Sequence, residues 1–542
     1  MAKMTGGQAI VDSLIANGVD QVFGVPGAQL DYSFSAMYDR SNEISIIHTR
    51  HEQGAAYMAY GFAHSTGKVG AFFVVPGPGL LNACAAISTG YACNTPMLCI
   101  SGQIPSKKIN GKTGQLHEIR DQIEIAAKIT KMAHRIDTPA ETPAAMARAF
   151  NELTSGRVRP VEIEMAMDIM PMEGDVEKAK AIQKRTPVKP DPDKISAAAE
   201  LLKSAKRPVI FAGGGTIDAS TEVRTLSKAL GVPVVMSVNS LGVMDARDDY
   251  AMVPVAGHFL WKDADVVLGV GSRMTPQIDD WGLDDNLKII RMDIDAAEMN
   301  LLSMPDIAIE CDAADGLNAL IAALGECDPK WAISEMNDIK TEVANEVNIM
   351  APQVEYLNVI RDVLPEDGHF VSDLTQMGYA SRDAFPVYNP RTYLYPSYQG
   401  TLGHSYATGL GVQVANPTKK VVTVAGDGGF MFNVQEMATA AQFNIPMVCV
   451  VFNDSAYGNV KRIQQTSHKG KVIASDLQNP DFVKLGESFG VKSSRVNSPE
   501  GLRSALQEGF DYDGPVLIEV TLDLADIPAP WHLYFRPRLR GE

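Results

Sequence analysis

The feature that most constrains this chain is an alternation. Short apolar, β-branched runs recur at 44–47, 71–75, 96–100, 161–165, 209–212, 234–236, 266–270, 289–294, 421–425, 447–452 and 516–520, with longer helical patterns between them. Strands buried on both faces and joined through helices belong to parallel sheets, so the expected fold class is α/β with doubly wound parallel sheets. At 542 residues the chain has material for three or four such domains. Two stretches read as linkers: residues 170–194, rich in Pro, Lys and Glu, and the charged, helical stretch 331–347. They divide the chain into domains at 1–175, 190–330 and 350–542. The first and third end alike, in Arg159-Pro160-Val161-Glu162-Ile163-Glu164 and Gly514-Pro515-Val516-Leu517-Ile518-Glu519, which suggests a duplicated unit flanking a different middle domain.

Composition removes several function classes. Lys and Arg total 48 against 65 Asp and Glu, a net charge of −17, and such a chain repels nucleic acid and anionic membranes. The six cysteines are dispersed without a Cys-x-x-Cys pair, which argues against a disulfide framework or structural zinc and fits a reducing cytoplasm. Residues 1–8 are polar and run into an amphipathic helix pattern. No apolar run approaches ~18 residues, so neither a leader nor a membrane span is expected.

The strongest chemical motif is Gly426-Asp427-Gly428-Gly429, at the end of the 421–425 run. Glycines let backbone approach a ligand and free amides favour phosphate. The next apolar run ends at Asn453-Asp454. In a parallel sheet the two strand ends can be neighbours, so two carboxylates, a loop carbonyl and phosphate oxygens would complete an octahedral Mg²⁺ site. Taken singly, each motif is equally a turn.

A second motif, His48-Thr49-Arg50-His51-Glu52, places Glu52 at the start of a nearly uncharged helix, 55–63. An acid there complements the helix dipole; if desolvated, it also holds a proton more tightly. A third, Tyr398-Gln399-Gly400-Thr401-Leu402-Gly403-His404, precedes the acid-glycine motif.

Together these resemble the thiamine-diphosphate signature, and nearly the whole chain looks like the acetolactate synthase, pyruvate decarboxylase and benzaldehyde lyase group. The resemblance implies a pyrimidine-binding, a central and a diphosphate-binding domain. It implies magnesium on Asp427, Asp454 and the Ala456 carbonyl, although the group more often has Asn at 454. Cofactor contacts would come from Gly426, Gly428, Gly429, Tyr457 and Gly458, with Thr375 and Gln376 near the phosphates. Glu52 would be the glutamate that activates the aminopyrimidine ring, Leu402 the wedge beneath the cofactor, and the Gly400 carbonyl an acceptor from the pyrimidine amine. The group completes its site between subunits, which implies at least a homodimer, with a homotetramer expected.

Within the group, 5–31 and 129–135 look especially like benzaldehyde lyase. That lyase has histidine where Gln29 stands and glutamine where His117 stands. Either the acid/base function has moved from position 29 to His117, since Gln cannot titrate near neutrality, or His117 is a solvated loop residue. Pro76-Gly77-Pro78-Gly79 and Gly102-Gln103-Ile104-Pro105 read instead like acetolactate synthase. Ile463, in place of that family's acceptor-selecting tryptophan, and Met274-Thr275-Pro276-Gln277, in place of its Phe-Asp-Asp-Arg run, depart from it. Ala28 stands where plant and yeast pyruvate decarboxylases have aspartate.

Gly213-Gly214-Gly215 and Asp293 could hold a nucleotide in the central domain. FAD or ADP is possible there, but an empty domain is the favoured reading. The basic, aromatic tail 528–540 reads as a lid over substrate or an arm on a neighbouring subunit. The expected activity is lyase or carboligase chemistry on 2-oxo acids or 2-hydroxy ketones, acetolactate synthase-like. The alternatives are a benzaldehyde-lyase-like acyloin lyase, a 2-hydroxyacyl-CoA lyase, or a cofactor-binding protein without turnover.

Overall fold

The computed structural model describes residues 1–183, 186–522 and 528–541. Lys184 and Arg185 of the expected linker, and Glu542 at the end of the third domain, lie outside the described residues.

Three parallel six-stranded sheets form three α/β domains. The first uses β2 (Gln21–Gly24), β3 (Ser45–His48), β4 (Gly70–Val74), β5 (Met97–Gln103), β6 (Met132–Ile136) and β7 (Val161–Ala166), in the order β3-β2-β4-β5-β7-β6. The second uses β9 (Pro208–Ala212), β10 (Val234–Met236), β11 (Ala251–Met252), β12 (Val266–Val270), β13 (Lys288–Asp293) and β14 (Ile307–Glu310). Its order, β11-β10-β9-β12-β13-β14, is that of dinucleotide-binding sheets. The third uses β15 (His369–Ser372), β16 (Tyr393–Leu394), β17 (Val421–Gly426), β18 (Val448–Asn453), β19 (Lys492–Val496) and β20 (Val516–Thr521), ordered β16-β15-β17-β18-β20-β19. This repeats the first sheet strand for strand, so the matched endings at 159–164 and 514–519 become equivalent strands, β7 and β20.

Two linker expectations need correction. Residues 170–194 contain β8 (Glu173–Val176), which pairs antiparallel with β1 (Ala2–Thr5), so the polar N-terminus is a strand before it is a helix. Neither strand has an apolar run to announce it; each exists only through its partner. The stretch 331–347 is the helix Ile333–Val347, whose Met336, Val343 and Val347 are buried, while Trp331 donates to the Pro208 carbonyl at 2.8 Å. It is packed onto the central domain.

The first and third domains share one hydrophobic core. Its centre is the contact between the equivalent helices Glu52–Thr66 and Ser405–Ala415. A Cβ on Gly61 would stand 2.1 Å from the Thr408 carbonyl oxygen, and one on Gly411 would stand 2.0 Å from that of Met58. Glycine at both crossings is therefore a packing requirement. Arg391 ties the three domains together: it donates to the His64 carbonyl at 2.9 Å and pairs with Asp218 at 2.7 Å.

Candidate active site

Strands β17 and β18 are adjacent and parallel, so the backbone delivers their C-terminal ends to one place. There, a cavity of about 210 Å³ is lined by Thr375, Gln376, Leu402, Gly426, Asp427, Gly428, Gly429, Asp454, Ala456, Tyr457 and Gly458, together with Leu374, Tyr379, Phe452, Asn459 and Val460. Most of the cofactor residues expected from the motifs are thus brought together. Gly400 lies outside the lining, in a left-handed turn with φ +61°.

The glycines of this cavity answer to its shape. A Cβ on Gly428 would lie 2.5 Å from the Tyr457 ring, and one on Gly458 would lie 2.5 Å from Asp454 Oδ2. Burial pushes the Asp427 carboxyl above its ordinary range. Asp454 is pushed up to about 6, by burial first and by the charge of Asp427 second. Two acids that each disfavour ionisation, facing one cavity, are relieved by a cation. Among the described residues no group of three or more His, Cys, Asp or Glu side chains could enclose a metal, so a cation here would need oxygens from its ligand. Gln376 Oε1 is buried without a partner, while its amide donates to Asn459 Oδ1 at 2.8 Å. The two carboxylates and the glycine-lined wall fit Mg²⁺ with a diphosphate.

Glu52 lies elsewhere. It opens a helix whose body from Gly54 to Ser65 is wholly buried, capped by His51 Nδ1 accepting from Gln53 N. Its Oε2 accepts from Asn82 Nδ2 at 3.0 Å. The cavity at Asp427 is lined only from 374–460, so within one chain Glu52 and the acid pair are separate half-sites.

Gln29 and His117 are brought together. Gln29 is buried, and its amide reaches the Leu116 carbonyl at 3.5 Å. His117 has φ +69°, and its Nδ1 is buried without a partner. This favours a seated loop over a freely solvated one.

Sequence reasoning missed three residues. Asp373, fully buried, accepts from Leu374 N at 2.8 Å, from Gly403 N at 3.0 Å and from Ser405 Oγ at 3.2 Å, which pins the Leu402 loop to the end of β15. A strand-end acid two residues before Thr375 was the available clue. Asn479 donates to Asp427 Oδ2 at 2.6 Å and to Asn453 Oδ1 at 3.0 Å. Glu436, fully buried in the third domain, accepts from Arg50 N and His51 N, each at 3.1 Å, and from Thr439 Oγ1 at 2.6 Å. It thereby supplies an anion to the start of the Glu52 helix. Nothing local in the sequence marks these last two.

Within the chain, the tail arginines are tied to neighbouring elements rather than left free. Arg540 is buried and donates to the carbonyls of Trp261, Lys262 and Ala264. Arg538 donates to the Asp279 carbonyl, and Arg536 pairs with Glu346 at 2.7 Å. These arginines fasten the C-terminus to the central domain and the helix that follows it.

A cleft of about 870 Å³ lies at the C-terminal ends of the central strands, between Gly213–Gly214, Gly271 and the arginines 157, 159 and 273. Glu298 pairs with Arg157 at 2.5 Å, Arg273 at 2.9 Å and Arg159 at 3.8 Å.

Three α/β domains with a glycine-lined acid pair at a strand-end crevice fit the class of modular enzymes that use a diphosphate cofactor. Family models agree in chain order. Residues 4–125 match the thiamine pyrophosphate enzyme N-terminal TPP binding domain, 195–320 the central domain, and 373–520 the C-terminal TPP binding domain. The probable 2-ketoarginine decarboxylase AruI of Pseudomonas aeruginosa is 33% identical over 95% of this chain and 94% of its own length. The probable acetolactate synthase large subunit of Methanocaldococcus jannaschii is 32% identical, over 96% and 93% respectively. The acetolactate synthase isozyme 1 large subunit of Escherichia coli is 29% identical, over 96% and 94%. The chain belongs to the thiamine pyrophosphate enzyme family, in the group that contains the acetolactate synthases. It is a thiamine-diphosphate-dependent enzyme of decarboxylase/carboligase type. No helix among the described residues is long and apolar enough to cross a membrane.

Proposed function

We propose that this enzyme decarboxylates a 2-oxo acid, pyruvate first among candidates, and joins the retained acyl unit to a second carbonyl compound, using thiamine diphosphate and Mg²⁺. The observation that carries the reading is the pair of buried, mutually repelling carboxylates, Asp427 and Asp454, in a glycine-lined cavity at two adjacent strand ends. Asp427, Asp454 and the Ala456 carbonyl would hold the cation, and Gly428 and Gly429 the diphosphate. When bound, the cofactor supplies a carbon nucleophile and an electron sink, chemistry no side chain offers. Glu52 would hold the proton exchanged with the cofactor's pyrimidine ring. Asn82 occupies Oε2, so Oε1 is the oxygen that carries it. Leu402, whose loop is held through Asp373, would support the bound cofactor, and the Gly400 carbonyl would accept from its amine. His117, whose Nδ1 is buried without a protein partner, is the proposed first-domain group to meet substrate, with Gln29 holding its loop.

The separate half-sites within one chain support a homodimer, in which Glu52 of one subunit serves the cavity of the other. A homotetramer in the cytoplasm is the proposed form. A central domain without FAD or ADP is the proposed form; Met274-Thr275-Pro276-Gln277 in place of the Phe-Asp-Asp-Arg run supports the absence of FAD. Ile463 in place of tryptophan and the 2-ketoarginine decarboxylase relative make larger 2-oxo acids the next substrates to try.

The test is to load the protein with thiamine diphosphate and Mg²⁺ and follow CO₂ and ligation product from pyruvate, alone and with a second carbonyl. Cleavage of benzoin or of a 2-hydroxyacyl-CoA with no pyruvate turnover would replace this reading by the acyloin or CoA lyase. Cofactor binding with no turnover of any would leave a binding protein.

A further inference from the structure

The head of the helix Pro78–Ala92 is built from Pro76-Gly77-Pro78. Prolines carry no amide hydrogen, so Gly77 has the one backbone N–H of this turn. That N–H goes to a side chain 45 positions away: Gln122 Oε1 accepts from it at 2.8 Å. Gln122 is 1% exposed, and its amide nitrogen is equally committed. It reaches the Gly102 carbonyl at 3.0 Å, Ser101 Oγ at 3.3 Å and Glu164 Oε2 at 2.9 Å. Glu164, fully buried on β7, is held in turn by Gln103 at 3.2 Å and by Arg135. A left-handed residue, Asp121 at φ +50°, aims Gln122 inward at the start of its own helix.

Two features of the first half-site depend on this turn. Gly77 has φ +61° and ψ −111°, which only glycine adopts without strain, and its missing side chain makes room for the His117 carbonyl, 2.4 Å from where a Cβ would be. The helix that begins here carries Asn82, the hydrogen-bond partner of Glu52. This helix has no side-chain cap at its N-terminus. Its register is therefore set by the turn, and the turn is set by Gln122.

We propose that Gln122, seated on Glu164, is a positioning residue that aligns Asn82 with Glu52 and seats the His117 loop. The inference rests on the reading of Glu52 as the proton-carrying group. The test uses the full chain with thiamine diphosphate and Mg²⁺, and compares wild type, Gln122→Leu, Gln122→Glu, and Gln122→Glu combined with Glu164→Gln. The double exchange restores the bonds from Gly77 to 122 and from 164 to 122, since a carboxylate at 122 still accepts from Gly77 N and an amide at 164 donates to it, while the donation to the Gly102 carbonyl and the Arg135 ion pair are lost.

Two readouts separate the claims. Amide hydrogen exchange across 76–82 and 112–121 reports the turn and loop. The rate of C2 proton exchange on bound cofactor reports Glu52. Gln122→Leu should speed amide exchange in those two segments by about tenfold or more and slow C2 exchange by about tenfold or more, with cofactor affinity within about twofold. Gln122→Glu alone faces Glu164 and should resemble it, and the double exchange, which restores the bond to the turn, should recover a measurable part of both losses. Wild-type C2 exchange in Gln122→Leu would overturn the proposal. So would amide exchange rising across the whole first domain without recovery in the double variant, which would mark a merely structural residue. If wild-type protein binds cofactor but shows no C2 exchange, the Glu52 reading falls. The hold of Gln122 on the turn then stands or falls on amide exchange alone.

Discussion

The first and third domains have the same strand order, yet their equivalent turns do opposite things. After β17 the third domain has Gly426-Asp427-Gly428-Gly429, with acidic oxygens at a glycine-lined crevice. After β4, the equivalent strand, the first domain has Pro76-Gly77-Pro78, where the single amide is taken by Gln122. The one amide of that tripeptide is thus unavailable to a phosphate, and we assign its crevice to Glu52, Gln29 and His117. The contrast recurs one strand earlier. In the first domain β3 leads almost directly into the Glu52 helix, whereas in the third a loop carrying Leu402 intervenes between β16 and Ser405–Ala415. A doubly wound sheet offers a crevice at its strand ends in either copy; a few turn residues decide whether it binds phosphate or works on a proton.

The harshest way to break this contrast is to remove the third domain's acid. Asp427→Ala should lower Mg²⁺-dependent affinity for thiamine diphosphate by about a thousandfold or more, because the diphosphate would meet the cavity without its bridging cation. Calorimetric titration measures this directly. Near-normal affinity would remove Asp427 from the metal.

The matching loss in the first domain leaves binding intact. Glu52→Gln keeps the hydrogen bond from Asn82 but cannot relay a proton, so C2 exchange on bound cofactor should slow by roughly 10²–10⁴-fold at unchanged cofactor affinity. If affinity collapses as well, the two domains do not divide binding from proton transfer.

Much of this division was legible in the sequence, because its carriers are local. Gly426-Asp427-Gly428-Gly429 and Asn453-Asp454 each end an apolar run, and period and spacing reveal such positions. What stayed hidden is long-range. Glu436 reaches Arg50 and His51 across 385 or more positions, and Gln122 reaches Gly77 across 45. No local pattern encodes either contact. The pairing of β1 with β8 was invisible for the same reason, since two short polar strands become strands only by meeting. The partners of the tail arginines were equally hidden: Arg540 donates to the carbonyls of Trp261, Lys262 and Ala264 and to Asp284, none of them near it in sequence.

The shared core offers a gentler break. Gly61→Ala would drive a methyl against the Thr408 carbonyl and force the two equivalent helices apart. A destabilisation of about 2–4 kcal/mol should appear as a lower melting temperature, with the first and third domains losing cooperativity together. Unchanged melting would show that the domains pack independently. His117→Ala should cost less still, about tenfold or below in kcat with cofactor affinity untouched, since the cofactor and Glu52 remain. An unchanged kcat would return substrate choice to Leu116, Asn459 and Ile463.

The smallest effect tests whether the acid pair is as frustrated as it looks. With its carboxyl pushed up to about 6, Asp454 favours the folded state while it holds a proton. That stabilisation is complete below the ordinary aspartate range near ~3.9 and is lost as pH rises through about 6. Cofactor-free protein therefore carries an unfavourable charge at pH 7.5 that it lacks at pH 4.5. Asp454→Asn never bears that charge. Without cofactor, the variant should melt a few degrees above wild type at pH 7.5, and the difference should close as pH falls toward 4.5. With Mg²⁺ and thiamine diphosphate the cation pairs with Asp454, so the advantage should shrink or reverse, while the fall in wild-type cofactor affinity below pH 6 should flatten in the variant. The affinity change at pH 7.5 should stay within about tenfold, because an amide oxygen still ligates. A melting difference that does not move with pH, or a variant that binds cofactor no better at pH 5 relative to pH 7.5 than wild type does, would mean that the two carboxylates do not face a common cation. The third domain's turn would then owe its glycines to the packing of Tyr457 alone.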